Sequence, residues 1–279
     1  MKITNYGWSI RLQPAQSTCG GGSLRKLLVV LAAIASLVVT AGPAQAVLYG
    51  QPDNNEHPYV GVIRFFDEDG NYLWRCTGTL ISPTVVLTAG HCTFGTASAE
   101  AWFTETAPST AEVLSGDYTH GITGQTYAYP GYDDFATFPN TGDVGIVVLD
   151  EPVLLSEYAS LPTAGLADTL YKHELFTIVG YGIQDVRPVE VAEVRRLRAT
   201  VKLVSLKSGY SQGFNLQLSS NPGQPHQGGL CFGDSGGPVL YGTTILAVNS
   251  FVINGNCAGA GFAYRIDQPE ILSWIESFL

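Results

Sequence analysis

The run "GLCFGDSGGPVL" at residues 229–240 sets Asp234 and Ser235 between Gly233 and the pair Gly236-Gly237, then passes directly into an apolar segment. A plain turn needs one or two glycines. Four glycines around one hydroxyl describe a loop in which a nucleophile and several backbone N–H groups face an approaching ligand. A serine hydroxyl is a poor nucleophile at neutral pH. The chemistry therefore requires a base beside it and a third group that orients the base.

Five histidines are available: His57, His91, His120, His173 and His226. His91 stands out, because "VVLTAGHC" places it at the end of an apolar strand and next to Cys92, which can lock its loop covalently. The other four read as ordinary solvated or hydrogen-bonded side chains. For the orienting acid, Asp143 opens "DVGIVVLD", so its backbone enters a buried strand, where a carboxylate without a partner is costly. Asp234 has the same property beside Ser235 and needs its own explanation.

The elements that must position these residues read as strands and turns. "YVGVIRFF" (59–66), "TGTLISPTVVLTAG" (77–90), "DVGIVVL" (143–149), "LFTIVGYG" (175–182) and "LRATVKLVS" (197–205) are rich in β-branched residues. "PVLYGTTILAV" (238–248) reads as a hairpin turning at Gly242-Thr243. The tail alone is convincingly helical: Asp267 is placed to cap it, Pro269 sits in the first turn, and Ile271, Leu272, Trp274, Ile275 and Phe278 form one apolar stripe. Many short strands separated by turns mean a sandwich or barrels. The segment 155–165 reads as the connection between two β halves.

"LTAGHC", "DVGIVVL" and "GDSGGPV" together resemble the three active-site motifs of the trypsin/chymotrypsin family of serine endopeptidases, in the family's order. "CTGTLIS", "VGYG" and the closing "GFAYRI" are similar to further landmarks, and the likeness runs from about Val47 to Leu279. The resemblance implies an all-β fold: two six-stranded antiparallel β-barrels with the active site between them and a C-terminal α-helix. It divides the chain into an N-terminal barrel at about 47–155, a C-terminal barrel at about 165–266 and a helix at about 267–279. It makes Ser235 the nucleophile, His91 the general base and acid, Asp143 the orienting residue, and the N–H groups of Gly233 and Ser235 the oxyanion hole.

The first 46 residues differ in kind. Lys2, Arg11, Arg25 and Lys26 carry charge with no acidic residue, an apolar run follows from Leu27 to Gly42, and Pro43 precedes Ala44-Gln45-Ala46. This is the order of a secretory signal peptide spanning 1–46, with a retained membrane anchor as the alternative. The apolar run is short for a stable span. The leader holds four of the 14 basic residues and none of the 24 acidic ones, so the remainder carries a net charge near −14. Nucleic acid and anionic membrane are poor partners for such a chain. Outside the leader four cysteines remain, Cys76, Cys92, Cys231 and Cys257. In an exported protein they read as two disulfides with three possible pairings; a zinc site is the weaker alternative, since no C-x-x-C occurs. The family resemblance implies Cys76–Cys92 and Cys231–Cys257.

The chain also departs from the family pattern. At the pocket floor, where trypsin-like specificity needs an acid, stands Gly229. Leu230 and Phe232 flank Cys231, Ser250, Phe251 and Val252 match one wall, and Gly261 with Ala263 match the other. None is acidic, so an apolar or small residue before the cut is expected in place of Lys or Arg. Glutamate-specific relatives place a histidine where this chain has Asn249. Asp234 matches a residue that, in the family, pairs with a new N-terminus; the matching terminus here is Val47, directly after the signal site, with Tyr49 where the family has glycine.

The implied function is a secreted serine endopeptidase with polypeptide substrates, a protein inhibitor as a further partner, and no cofactor. The alternatives are a catalytically silent secreted binding protein on the same fold, or an esterase using the same triad. Glu100, Glu105 and Glu112 lie where some relatives bind calcium, but they read here as a solvated acidic loop, so no metal is expected.

Overall fold

A computed structural model describes residues 47–184, 193–220 and 228–279. The expected leader and its cleavage site lie outside these residues, as does His226.

Six strands close a first antiparallel barrel: β2 (Val60–Phe66), β3 (Tyr72–Leu80), β4 (Val85–Thr88), β5 (Ser98–Trp102), β6 (Ile122–Ala128) and β7 (Gly145–Leu149). The order around it is β2-β3-β4-β7-β6-β5. The second barrel uses β8 (Leu175–Gly180), β9 (Leu197–Ser205), β10 (Asn215–Ser220), β11 (Pro238–Tyr241), β12 (Thr244–Val252) and β13 (Gly259–Arg265), closed by pairing of β8 with β9. Alternation of branched apolar residues with polar ones is clearest in β9, whose exposure alternates along Leu197, Ala199, Val201 and Leu203. The hairpin between β11 and β12 turns at Gly242-Thr243, as its sequence predicts.

Two boundaries differ from the sequence reading. Residues 47–52, counted above with the first barrel, run along the second: β1 (Gln51–Pro52) pairs with Leu197 and Arg198, and Leu48 pairs with Gly229. The closing helix α3 (Pro269–Glu276) is preceded by Gln268 at its N-cap, not by Asp267. The Asp267 carboxylate instead takes both Nε and Nη2 of Arg265 at 2.9 Å and the N–H of Ala167 at 2.7 Å. A buried guanidinium two residues away is a stronger claim on that carboxylate than a helix end. Helix α3 then returns to the first barrel, where Trp274 packs on Tyr129 and Phe278 on Tyr127.

Two short helices complete the first half. Helix α1 (Gly90–Thr93) follows β4, and α2 (Thr110–Ser115) is started by a capping box between Ser109 and Glu112. No helix among the described residues is long and apolar enough to cross a membrane.

Candidate active site

Strand β4 ends at Thr88, and α1 begins two residues later, so His91 stands at the rim of the first barrel. The Cys76–Cys92 disulfide ties α1 to β3, and Trp74 Nε1 donates to the Cys92 carbonyl at 2.9 Å. Asp143 lies just before β7, which pairs along its length with β4. That pairing carries the carboxylate to the imidazole. Asp143 is fully buried and accepts the backbone N–H of His91 at 2.8 Å and its Nδ1 at 2.9 Å. Ser250, from β12 of the second barrel, donates its hydroxyl to the same carboxylate.

These contacts set the titration of the pair. Burial by itself would push the His91 imidazole down; the charge and hydrogen bond of Asp143, aided by the charge of Asp134, outweigh it and hold the imidazole above its ordinary value. Burial would likewise raise the Asp143 carboxyl, but His91 and Ser250 hold it below the usual range.

Ser235 comes from the second barrel, in the loop before β11. β3 of the first barrel braces that loop: the Thr77 N–H donates to the Ser235 carbonyl at 2.8 Å and the Thr77 hydroxyl to the Gly233 carbonyl at 2.9 Å. Two glycines make the loop possible. Gly233 has φ +93°, and Gly236 has φ +77° with the Thr88 hydroxyl 2.0 Å from where a Cβ would stand. The carbonyl of Phe232 is taken by the N–H of Ile183, and that of Asp234 by the N–H of Gly237. Across a planar trans peptide the N–H points opposite to the C=O. The N–H groups of Gly233 and Ser235 are therefore turned away from those internal partners.

A cavity of about 280 Å³ opens beside the pair, lined by His91, Phe135, Leu230, Cys231, Phe232, Ser235, Ser250, Phe251 and Val252. No acidic side chain is among the described residues that line it. Of the residues expected to shape the pocket, Leu230, Phe232, Ser250, Phe251 and Val252 reach the cavity, whereas Gly229, Gly261 and Ala263 are buried away from its lining. A Cβ on Gly229 would come within 1.7 Å of the Ser220 hydroxyl, so an acid has no room there. The Leu230 isobutyl group sits against Gly261, with its carbons 2.4–3.0 Å from where a Gly261 Cβ would lie. The two expected walls do not face each other: β12 and β13 pair directly there, with Val252 opposite Gly261 and Asn249 opposite Ala263, and Leu230 packs over Gly261.

Phe135 was not singled out from sequence. It packs on His91 at 6.0 Å between ring centroids and on Phe251 at 6.2 Å. Its segment has no periodic pattern, and Asp134 and Phe135 both have positive φ, so no local rule marks them. Beyond Phe251 the apolar surface continues into a second cavity lined by Phe138, Tyr210, Phe251, Val252 and Ile253.

The remaining candidates are placed elsewhere. His57 bonds Asp53 and His120 bonds Glu100, both away from Ser235. The three glutamates do not form one solvated loop. Glu100 is buried and accepts from Tyr118, His120 and the N–H of Gly121; Glu105 meets Arg196 and the N–H of Asn55; Glu112 caps α2. Cys231 is joined to Cys257 below the cavity loop.

Asp234 is fully buried and turned away from the cavity. Its carboxylate accepts the N–H of Gly182 and that of Cys231, each at 2.9 Å. Burial pushes its pKa up to about 7, and those two N–H groups and the more distant charge of Arg75 offset this only in part.

Comparison with known proteins gives a consistent picture. The family model for Trypsin matches residues 49–275. The chain is 26% identical to brachyurin of Leptuca pugilator over 230 residues, covering 80% of this chain and 93% of that protein. It is 29% identical to a trypsin of Saccharopolyspora erythraea over 225 residues, 77% of this chain and 89% of that one. Among solved structures, HL collagenase superposes with a TM-score of 0.63 at 17% identity, over 80% of this chain and 93% of its own. A scabies mite inactivated protease paralogue superposes with a TM-score of 0.65 at 14% identity, over 83% and 97%. At such identities these two likenesses concern the fold alone.

Proposed function

The chain belongs to the trypsin family of serine proteases, and on that premise we propose that it is a secreted serine endopeptidase working through an acyl-enzyme. The observation that carries this reading is the buried Asp143 carboxylate bonded to His91 Nδ1 beside Ser235. With Nδ1–H given to Asp143, the free lone pair of His91 is on Nε2. Ser235 Oγ attacks the scissile carbonyl while Nε2 takes its proton. The developing oxyanion is met by the N–H groups of Gly233 and Ser235. Nε2 then passes the proton to the departing amine, and water repeats the sequence to release the acyl group. Asp143 fixes the tautomer and stabilises the imidazolium.

The residue before the cut is small or apolar. Leu230 against Gly261 shortens the pocket, Phe251 and Val252 line it, and none of the described residues that line it is acidic and able to receive Lys or Arg.

Activation follows from Asp234. We infer that removal of the leader after Ala46 frees the α-amino group of Val47, which inserts and pairs with the Asp234 carboxylate. Segment 47–50 already runs along the loop that carries Asp234, since Leu48 and Gly229 exchange hydrogen bonds of 2.9 and 3.0 Å. In the uncleaved chain Val47 is buried with φ +55°, a conformation costly for a β-branched residue, of order 1–3 kcal/mol. Cleavage removes the peptide bond that defines this φ.

Labelling with a serine-directed phosphonate, followed by a casein digest, tests the reading. The expected result is labelling that is lost in Ser235→Ala, together with casein cleavage. An unlabelled protein would be a silent binding protein, and a labelled one that cuts esters but not casein would be an esterase. N-terminal sequencing of the active form should begin at Val47.

A further inference from the structure

Cys76, His91 and Cys92 each offer one ligand atom, two sulfurs and an imidazole nitrogen, and these three atoms lie within 4.8 Å of one another. Among the described residues this is the one group of His, Cys, Asp and Glu side chains placed to share a cation. The two sulfurs are joined as a disulfide, whereas the sulfur ligand of a divalent cation is a thiolate. The oxidised chain therefore has the three positions of a metal site and lacks two of its donors.

Those positions do not depend on the S–S bond alone. Cys76 lies within β3, opposite Ile63 of β2. At Cys92 the backbone N–H donates to the Ala89 carbonyl at 3.2 Å, and the carbonyl accepts Trp74 Nε1 at 2.9 Å. The His91 N–H is fixed on Asp143 at 2.8 Å. Opening the disulfide breaks none of these bonds, so two thiols are left facing His91. Cys76 lines a cavity that it shares with His91 and Ser235, which gives a small reductant its approach.

The donor set and its surroundings suit zinc. Two thiolates and an imidazole are ligands for a borderline-soft cation, with bonds of about 2.3 Å to sulfur and about 2.0–2.1 Å to nitrogen. Ligand atoms on one such tetrahedral ion stand about 3.5–3.8 Å apart. Groups already within 4.8 Å close on it by small side-chain rotations. His91 Nδ1 is given to Asp143, which leaves Nε2 for the metal. A carboxylate on the far nitrogen is what orients most metal-binding histidines, and here that carboxylate is fully buried. Three protein ligands leave a fourth position open toward the cavity.

We propose that Cys76, Cys92 and His91 form a latent zinc site, closed while the disulfide stands and opened by its reduction. A thiol or phosphine reductant supplies two electrons. The S–S bond breaks, each sulfur takes a proton, and the reductant becomes its own disulfide or, with an oxygen from water, its phosphine oxide. Zinc then displaces one proton from each thiol and binds the Nε2 lone pair. In the mechanism above that lone pair accepts the Ser235 proton, so zinc silences the reduced chain and leaves the oxidised one untouched. The silencing rests on the peptidase reading; the metal site does not.

Cobalt(II) is the probe, because thiolate ligands give it a charge-transfer band that oxygen and nitrogen ligands do not. The chain of verified N-terminus is reduced with a phosphine, freed of it by gel filtration without air, and titrated. The expected result is one cobalt per chain with that band, displaced by zinc, and no band from the unreduced chain. Asp143→Asn should weaken cobalt binding by about 10- to 100-fold, as loss of an orienting partner does. On the wild-type chain zinc should shield Cys76 and Cys92, but not Cys231 or Cys257, from iodoacetamide, read by peptide mass. Zinc should also lower peptide kcat/KM of the reduced chain by about 10²- to 10⁴-fold, the share of a general base, with recovery on chelation. No band after reduction overturns the proposal. So does a band that persists in the Cys76→Ser, Cys92→Ser double variant, or shielding that falls on Cys231 and Cys257. A reduced chain whose circular dichroism shows unfolding overturns it as well, because the three groups then no longer meet. Undiminished cleavage by the zinc-loaded chain, or equal inhibition of the oxidised one, overturns the silencing. If even the oxidised chain cuts no peptide, the peptidase reading fails, and the band and the shielding still decide the metal site.

Discussion

Arg196 and Asp53 stand 143 residues apart in sequence and form an ion pair in which neither side chain is exposed, with Nε 3.1 Å from Oδ2. Arg196 also donates to the carbonyls of Val60 and Phe103 and to Asn55, and Asp53 is bonded by His57. Burial would raise the Asp53 carboxyl, but His57 and Arg196 outweigh it and hold it low. The pair clamps the segment that leads from Val47 onto β9 of the second barrel. Arg196→Met removes the guanidinium partner of the buried Asp53 carboxylate and should cost about 3–5 kcal/mol of stability. Asp53→Asn combined with Arg196→Met should cost less than Arg196→Met alone. Urea unfolding at pH 7 measures both, and equal losses would show that the charge is not what is being held.

The Asp143–His91 contact predicts a pH profile. On the proposed mechanism His91 must be neutral to accept the Ser235 proton, and its pKa is raised, so activity should be lost as pH falls through a value above the ordinary 6.5. Asp134→Asn removes a charge that contributes to the shift without touching Nδ1. The acid limb of kcat/KM should therefore move to lower pH in that variant. A limb that stays in place would remove Asp134 from the electrostatics of the site.

Leu230 predicts how selectivity can be widened. Leu230→Ala vacates the space against Gly261 and should favour Phe over Ala before the cut by about ten-fold relative to the parent chain, within the range for a few methylenes in an apolar pocket. Paired peptides differing only at that residue supply the ratio. An unchanged ratio would mean that the pocket is limited elsewhere, at Phe251 or Val252.

Asp234 predicts opposite effects in two forms of the chain. In the uncleaved form its carboxyl titrates at about 7, against about 3.9 when unfolded, so the folded state keeps the proton longer. The resulting contribution is fully present below about pH 4 and is lost as pH rises through 7, by about 4 kcal/mol. Asp234→Asn in an uncleavable chain should flatten stability across that window. On the activation proposed above, the same substitution in the cleaved form removes the partner of the Val47 ammonium and should lower kcat/KM by orders of magnitude. Thermal unfolding of the first form and peptide hydrolysis by the second are separate readouts.

Much of the site is legible in the sequence because local rules confine it. A glycine-rich loop around Ser235, a histidine beside a cysteine at a strand end, and an aspartate at the mouth of an apolar strand each carry their own constraint within a few residues. The strands are legible for the same reason: alternation and β-branching act over five to nine positions. The helix stripe at Ile271 and Ile275 is equally local.

What the tertiary structure decided depends on which strands meet. Nothing near Asp53 announces Arg196, and nothing near Asp267 shows that its carboxylate belongs to Arg265 and the N–H of Ala167 in place of a helix end. Gly229 reads as a pocket floor until barrel closure brings Leu230 over Gly261 and Ser220 against Gly229. Arg75 reads as one charge in a strand until the second barrel's loop settles on Thr77 and sets Gly233 beside it. Side-chain types and short-range spacing limit what each segment can do alone. The partner of a buried charge, and the depth of a cavity between two barrels, are set by register and closure, which act between residues far apart in the chain.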